Sequence, residues 1–119
     1  MQQIVDSAAA LAASFPNRKL LTLDLEELKP ERVQEALKAM PGWKLDMNRK
    51  AIDRLYEFPD SKVALVYAAF ATELAGSWRQ PISILVSGGR VGLTLHGKPR
   101  RGRKGGLTQA VLELAKRLG

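Results

Sequence analysis

His96 is the only histidine in the chain, which also has no cysteine. An ordinary imidazole titrates near pH 6.5, about where proton shuttling is useful, so His96 is the one side chain suited to acid–base work at neutrality. Standing alone on a predicted strand, it reads as a partly exposed strand histidine rather than a general base. The lack of cysteine removes disulfides, thiolate catalysis and sulfur-ligated zinc. No metal site and no cofactor is expected. The remaining reactive character is cationic. Lys98, Arg100, Arg101, Arg103 and Lys104 crowd the glycine-rich run Lys-Pro-Arg-Arg-Gly-Arg-Lys-Gly-Gly from Lys98 to Gly106. Such a run suits an acidic protein surface or a polyanion.

The charge is unevenly placed. The net value is +7, yet from Met1 to Trp78 there are ten Lys or Arg against eleven Asp or Glu, whereas Arg79 to Gly119 carries nine against one. The basic character therefore belongs to the C-terminal third. A chain of 119 residues, 45% apolar and 26% charged, has the composition of one soluble globular domain. No apolar run is long enough to span a bilayer. The small-residue stretch Ala8 to Ala13 precedes Arg18 and Lys19 instead of following them, which is the wrong order for a secretory signal. A cytoplasmic protein is expected.

Periodicity supplies the elements that must position these groups. A weak helix is expected over Gln3 to Ser14, ended by Phe15-Pro16, and a short strand on Leu21, Leu23 and Leu25. Pro30-Glu31 opens a helix whose Val33, Ala36, Leu37 and Met40 share a face and which Pro41-Gly42 stops. Trp43 to Met47 and Ala51 to Phe58 form a predicted hairpin, with Ile52, Tyr56 and Phe58 on one side. Asp60 or Ser61 caps a long helix reaching to about Gly76, with Val63, Val66, Tyr67, Phe70 and Leu74 at helical spacing. Ile82, Ile84 and Val86 make a third strand, Ser87-Gly88-Gly89 a turn, and Val91, Leu93 and Leu95 a fourth, with Arg90, Thr94 and His96 on its other side. Lys98 to Gly106 is expected to be a loop. Thr108 can cap a closing helix with Leu107, Val111, Leu114, Ala115 and Leu118 inward. The order implies an α+β two-layer sandwich: a four-stranded antiparallel sheet with helices on one face, and the other face or an edge free to pair in a homodimer. The domain is expected over residues 28–119, with residues 1–27 as an extension.

From Leu28 onward the sequence resembles the pterin-4a-carbinolamine dehydratase family. The likeness rests on Pro41-Gly42-Trp43, on Ile52-x-Arg54-x-Tyr56-x-Phe58, on Ala64 to Phe70, on Val91 to Leu95, and on Gly106-Leu107-Thr108 followed by Leu114-Ala115. It implies the dehydratase-like fold. It also implies a place for the family's histidines, and there the chain departs. Where the family carries His-His-Pro this chain has Arg79-Gln80-Pro81; the third histidine falls at about Lys98, and an aspartate of the closing helix falls on Val111. Arginine and glutamine cannot exchange protons near neutrality, and one histidine cannot replace three.

The resemblance thus implies a fold without its chemistry and no catalytic residue. A vestigial pocket is expected around Arg79, Gln80, Pro81, His96 and Lys98, with Arg100, Arg101, Arg103 and Lys104 as partner-binding residues. Relatives that lack the histidines include the RuBisCO assembly factors encoded with α-carboxysome components. By that likeness the chain is expected to be a RuBisCO assembly chaperone, cytoplasmic or carboxysome-associated, whose partner is the large subunit or its assembly intermediates. Two alternatives stand beside it: nucleic-acid binding or a transcription-cofactor role through the basic loop 98–104, and residual pterin binding or dehydratase activity. Neither a membrane nor a cofactor is expected as partner.

Overall fold

The computed structural model describes residues 27–119 apart from 47, 49, 101 and 102. The helix expected over Gln3 to Ser14 and the strand at Leu21 to Leu25 lie outside the described residues. Helix α1 spans Pro30–Leu37, with proline at its first turn and Glu31 near the positive end of its dipole. It stops short of the expected Met40. Lys38, Ala39 and Met40 instead donate to carbonyls three residues back, a tightened terminal turn that still buries Met40.

Strands β1 (Lys44–Asp46) and β2 (Ala51–Glu57) form the hairpin. Helix α2 runs from Ser61 to Ser77, capped by Asp60, whose Oδ1 accepts the Val63 N–H at 3.0 Å. Strand β3 (Ile82–Ser87) turns through Gly88-Gly89 into β4 (Arg90–Arg100), and α3 (Gln109–Leu118) closes the chain. The strand order is β1-β2-β4-β3, every pairing antiparallel. The four-stranded antiparallel sheet with its helices makes the expected α+β sandwich.

The core lies between sheet and helices. Ile52 from β2 and Val91, Leu93 and Leu95 from β4 meet Leu107, Val111, Leu114, Ala115 and Leu118 from α3 and its approach. Burying each of the larger of these aliphatic side chains stabilises the fold by about 1.5–3 kcal/mol before entropy is counted. The two segments that carried the family likeness touch here: a methyl group on Gly42 would lie 3.0 Å from the Arg54 Nε, so Gly42 leaves room for a guanidinium that also sits 4.5 Å over the Tyr56 ring. Thr108 occupies the N-cap position of α3 with extended backbone, but its side chain makes no capping hydrogen bond there.

Helix α2 corrects the sequence reading in its face. The expected stripe of Val63, Val66 and Phe70 is exposed, Val66 to 70%. Of the expected stripe Leu74 is buried and Tyr67 half-buried, and the rest of the buried face is made by Ala64, Ala68, Ala71 and Ala75. Small side chains let the helix lie close on the sheet, and the larger apolar residues are turned outward. Tyr67 lies between the two faces. Its hydroxyl donates to the Leu118 carbonyl at 2.7 Å, and its ring packs 4.6 Å from Tyr56 and 5.1 Å from Phe58.

Candidate docking site

The long helix ends in a Schellman motif. The Gln80 N–H donates to the Ala75 carbonyl and the Arg79 N–H to that of Gly76, with Arg79 in the left-handed region at φ +53°. Glycine is usual at that position; an arginine there holds a conformation that costs about 1 kcal/mol. The helix therefore ends one residue beyond the expected Gly76, and the left-handed residue is Arg79. The turn leaves Arg79 exposed and buries Gln80 to 6% accessibility. Ile82 pairs with Leu95, so the register carries Pro81 and Gln80 toward His96 and Gly97. The structure thus brings Gln80, Pro81, His96 and Lys98 to one end of the sheet. His96 pairs with Ala51 on the face away from the helices.

The expected basic loop is a β-hairpin. β4 continues past Leu95 to Arg100, and β5 (Arg103–Gly105) returns along it, with Arg100 opposite Arg103 and Gly97 opposite Gly105 across an irregular register. Arg101 and Gly102 lie outside the described residues. At the root, methyl groups on Gly97 or Gly105 would run into the backbone of Gly106 or Lys98. Alternation in the sequence could not announce this pairing, because glycines and same-sign charges carry no facial pattern. Past the hairpin, the Gly106 N–H donates to Glu27 Oε1 at 2.8 Å and Leu28 N–H to the Leu107 carbonyl at 2.7 Å. These bonds tie the start of the domain to the hairpin's return.

The uncovered face of the sheet holds a feature that the sequence reading passed over. Leu55 on β2, Gly92 on β4 and Leu85 on β3 share one row, with the leucines 58% and 74% exposed. They line a shallow hollow of about 510 Å³ with Lys44, Asp53 and Thr94 beside them. Thr94 Oγ1 donates to Asp53 Oδ1 at 2.7 Å. A glycine between Val91 and Leu93 was the available signal. Elsewhere, hollows of about 330 and 320 Å³ lie beside Leu28 and Leu107 and beside Trp43 and Arg54. None of these three hollows is lined by Arg79, Gln80, Pro81, His96 or Lys98. Among the described residues there is no group of three His, Cys, Asp or Glu side chains placed to hold a metal ion. Among the same residues, no helix is long and apolar enough to cross a membrane.

The sequence pattern of the pterin 4 alpha carbinolamine dehydratases matches residues 26–119. The chain belongs to that family. This dehydratase-family chain is also similar in structure to a transcriptional coactivator/pterin dehydratase from Brucella melitensis. The crystal structure of that protein superposes with a TM-score of 0.68 at 26% identity, over 78% of this chain and 95% of the other. No curated protein matches the sequence. Family membership brings the fold.

Proposed function

We propose that this dehydratase-family chain is not an enzyme and acts as a homodimeric docking protein in the assembly of RuBisCO, with the large subunit or its assembly intermediates as its client. One observation carries the reading. The end of α2 carries an exposed Arg79 and a buried Gln80, which by the family resemblance take the positions of imidazoles, and His96 on β4 is the chain's single histidine. A guanidinium and a carboxamide position and bind; they do not pass protons near neutral pH.

What the chain has in place of catalytic groups is surface. A basic hairpin extends from the same end of the sheet, and apolar side chains stand outward on α2 and on the open face of the sheet. Apolar contact of this kind supplies affinity, while the surrounding charge sets encounter rate and orientation. The homodimer follows from β3, an edge strand of sequence Ile-Ser-Ile-Leu-Val-Ser without a charge or proline to discourage pairing. A cytoplasmic or carboxysome-associated location follows from the client.

Co-expression with RuBisCO subunits in a host lacking the chain tests the proposal. A higher yield of assembled enzyme is expected, and equal yield with and without the chain rejects it. Purified protein is expected to turn over no carbinolamine above the solvent rate.

A second reading is favoured by the hairpin and by the likeness to the transcriptional coactivator/pterin dehydratase from Brucella melitensis. On that reading the hairpin meets nucleic acid or a transcription complex. Gel shift across a salt series separates the two, since phosphate binding weakens steeply as salt rises. Residual pterin binding would appear as heat on titration with a pterin, and none is expected.

A further inference from the structure

Gly92 sits in the interior of a central strand, where glycine weakens a sheet and a side chain would add both rigidity and contact. The backbone does not require it. Its φ is not positive, and a Cβ would meet the Leu85 carbonyl oxygen at 3.9 Å and the Leu85 Cβ at 4.0 Å, ordinary van der Waals distances. The root glycines of the hairpin differ, because there a methyl collides with backbone. A strand glycine that the fold does not need, flanked in its own row by two exposed leucines, leaves a slot with apolar walls and a peptide floor.

The geometry points to this slot as a docking site for an amphipathic helix of a client protein, one apolar side chain entering between Leu55 and Leu85 over Gly92 and an acidic residue reaching Lys44. The inference deepens the docking role proposed above and rests on it for the client's identity. The charges on the face select the helix. Asp53 is engaged by Thr94 at 2.7 Å, and Glu57 lies 3.6 Å from Arg90. Exposed Lys44, opposite Asp53 in the register, makes no ion pair among the described residues. From Gly92 to Lys44 the sheet geometry gives two strand spacings sideways and two residues along, about 12 Å. A helix covers that span in roughly two turns. The client segment therefore carries an apolar residue with an acidic residue one to two turns away. Nucleic acid fits poorly, since the slot has no aromatic wall to stack a base and carries Asp53 at its edge.

The test uses the full chain and a fluorescein-labelled 18-residue helical peptide with a leucine stripe flanked by glutamates, read by anisotropy. Wild type is expected to bind it. Gly92→Val fills the slot and is expected to melt higher, by about 4 °C, while weakening peptide binding at least about tenfold. Gly92→Ala is expected to do both to a smaller degree, and Lys44→Glu to weaken binding with the melting temperature unchanged. The inference is overturned if wild type does not bind, if Gly92→Val binds as well as wild type, or if Gly92→Val melts lower. It is also overturned if Gly92→Val disrupts self-association while the peptide is ignored, since the face would then belong to a second copy. The client reading fails separately: RuBisCO yield indifferent to the chain, with peptide binding still lost in Gly92→Val, rejects the client and leaves the slot.

Discussion

Gly97 and Gly105 face each other across β4 and β5 so closely that neither can carry a side chain: a methyl on Gly97 meets the Gly106 carbonyl and one on Gly105 meets that of Lys98. The pair is the root that holds the basic hairpin against the sheet. Gly97→Ala or Gly105→Ala is expected to destabilise the protein by about 1–3 kcal/mol, because backbone on both sides must move apart. Urea unfolding measures the loss. Limited proteolysis is expected to cut first within residues 98–105 in either variant, and an unchanged cleavage pattern would show that the root does not hold the hairpin.

Arg79 occupies the left-handed position of the Schellman turn, where a side chain is a burden. Arg79→Gly is expected to stabilise the fold by about 1 kcal/mol, seen as a higher denaturant midpoint. Association with the client is expected to weaken in the same variant. Stability gained without loss of binding would remove Arg79 from the docking surface.

The two tyrosines of the chain give a pH signature. Burial pushes both the Tyr67 and Tyr56 phenols above their ordinary pKa of 10.0; the neighbouring Tyr56 adds to the rise at Tyr67, whereas Tyr67 and Arg54 oppose it at Tyr56. The folded state then holds protons that the unfolded chain releases. The stability this contributes is complete below pH 10 and is lost as pH rises through the folded pKa values. Ultraviolet absorbance of tyrosinate is expected to appear together with unfolding instead of before it. Tyr67→Phe is expected to flatten the alkaline decline, at a cost of about 1 kcal/mol at neutral pH from the lost hydrogen bond to Leu118.

Replacing Arg100, Arg101, Arg103 and Lys104 by serine removes most of the net +7. Unfolding free energy is expected to stay within about 0.5 kcal/mol of wild type. The rate of association with the client proposed above is expected to fall and to lose its salt dependence, while dissociation changes little. Stopped-flow measurement across ionic strengths separates these quantities.

The sandwich was readable wherever alternation or helical spacing met a single buried face. Val91, Leu93 and Leu95 faced inward as their period of two required, and Val111, Leu114, Ala115 and Leu118 did so at helical spacing. Helix α2 misled because it is apolar nearly all round, so spacing could not say whether its large or its small residues touched the sheet. The strained turn at Arg79 was hidden because arginine does not advertise a positive φ, and the slot at Gly92 because a missing side chain reads as nothing until its neighbours are placed across strands. The resemblance already grouped Arg79, Gln80, Pro81, His96 and Lys98, and the pairing of Ile82 with Leu95 carries Gln80 and Pro81 toward the end of β4 that bears His96.

The strand order places β2 beside β4, yet α2 and β3 lie between them in the chain. During synthesis the first hairpin must therefore wait, its inner edge unsatisfied, while the helix and the next strand emerge. At roughly 5–20 residues per second that interval lasts seconds, long compared with the formation of a hairpin or helix. Completion of the sheet is thus a late event, gated by the arrival of one strand, and β2 is the segment that would benefit most from protection on the ribosome.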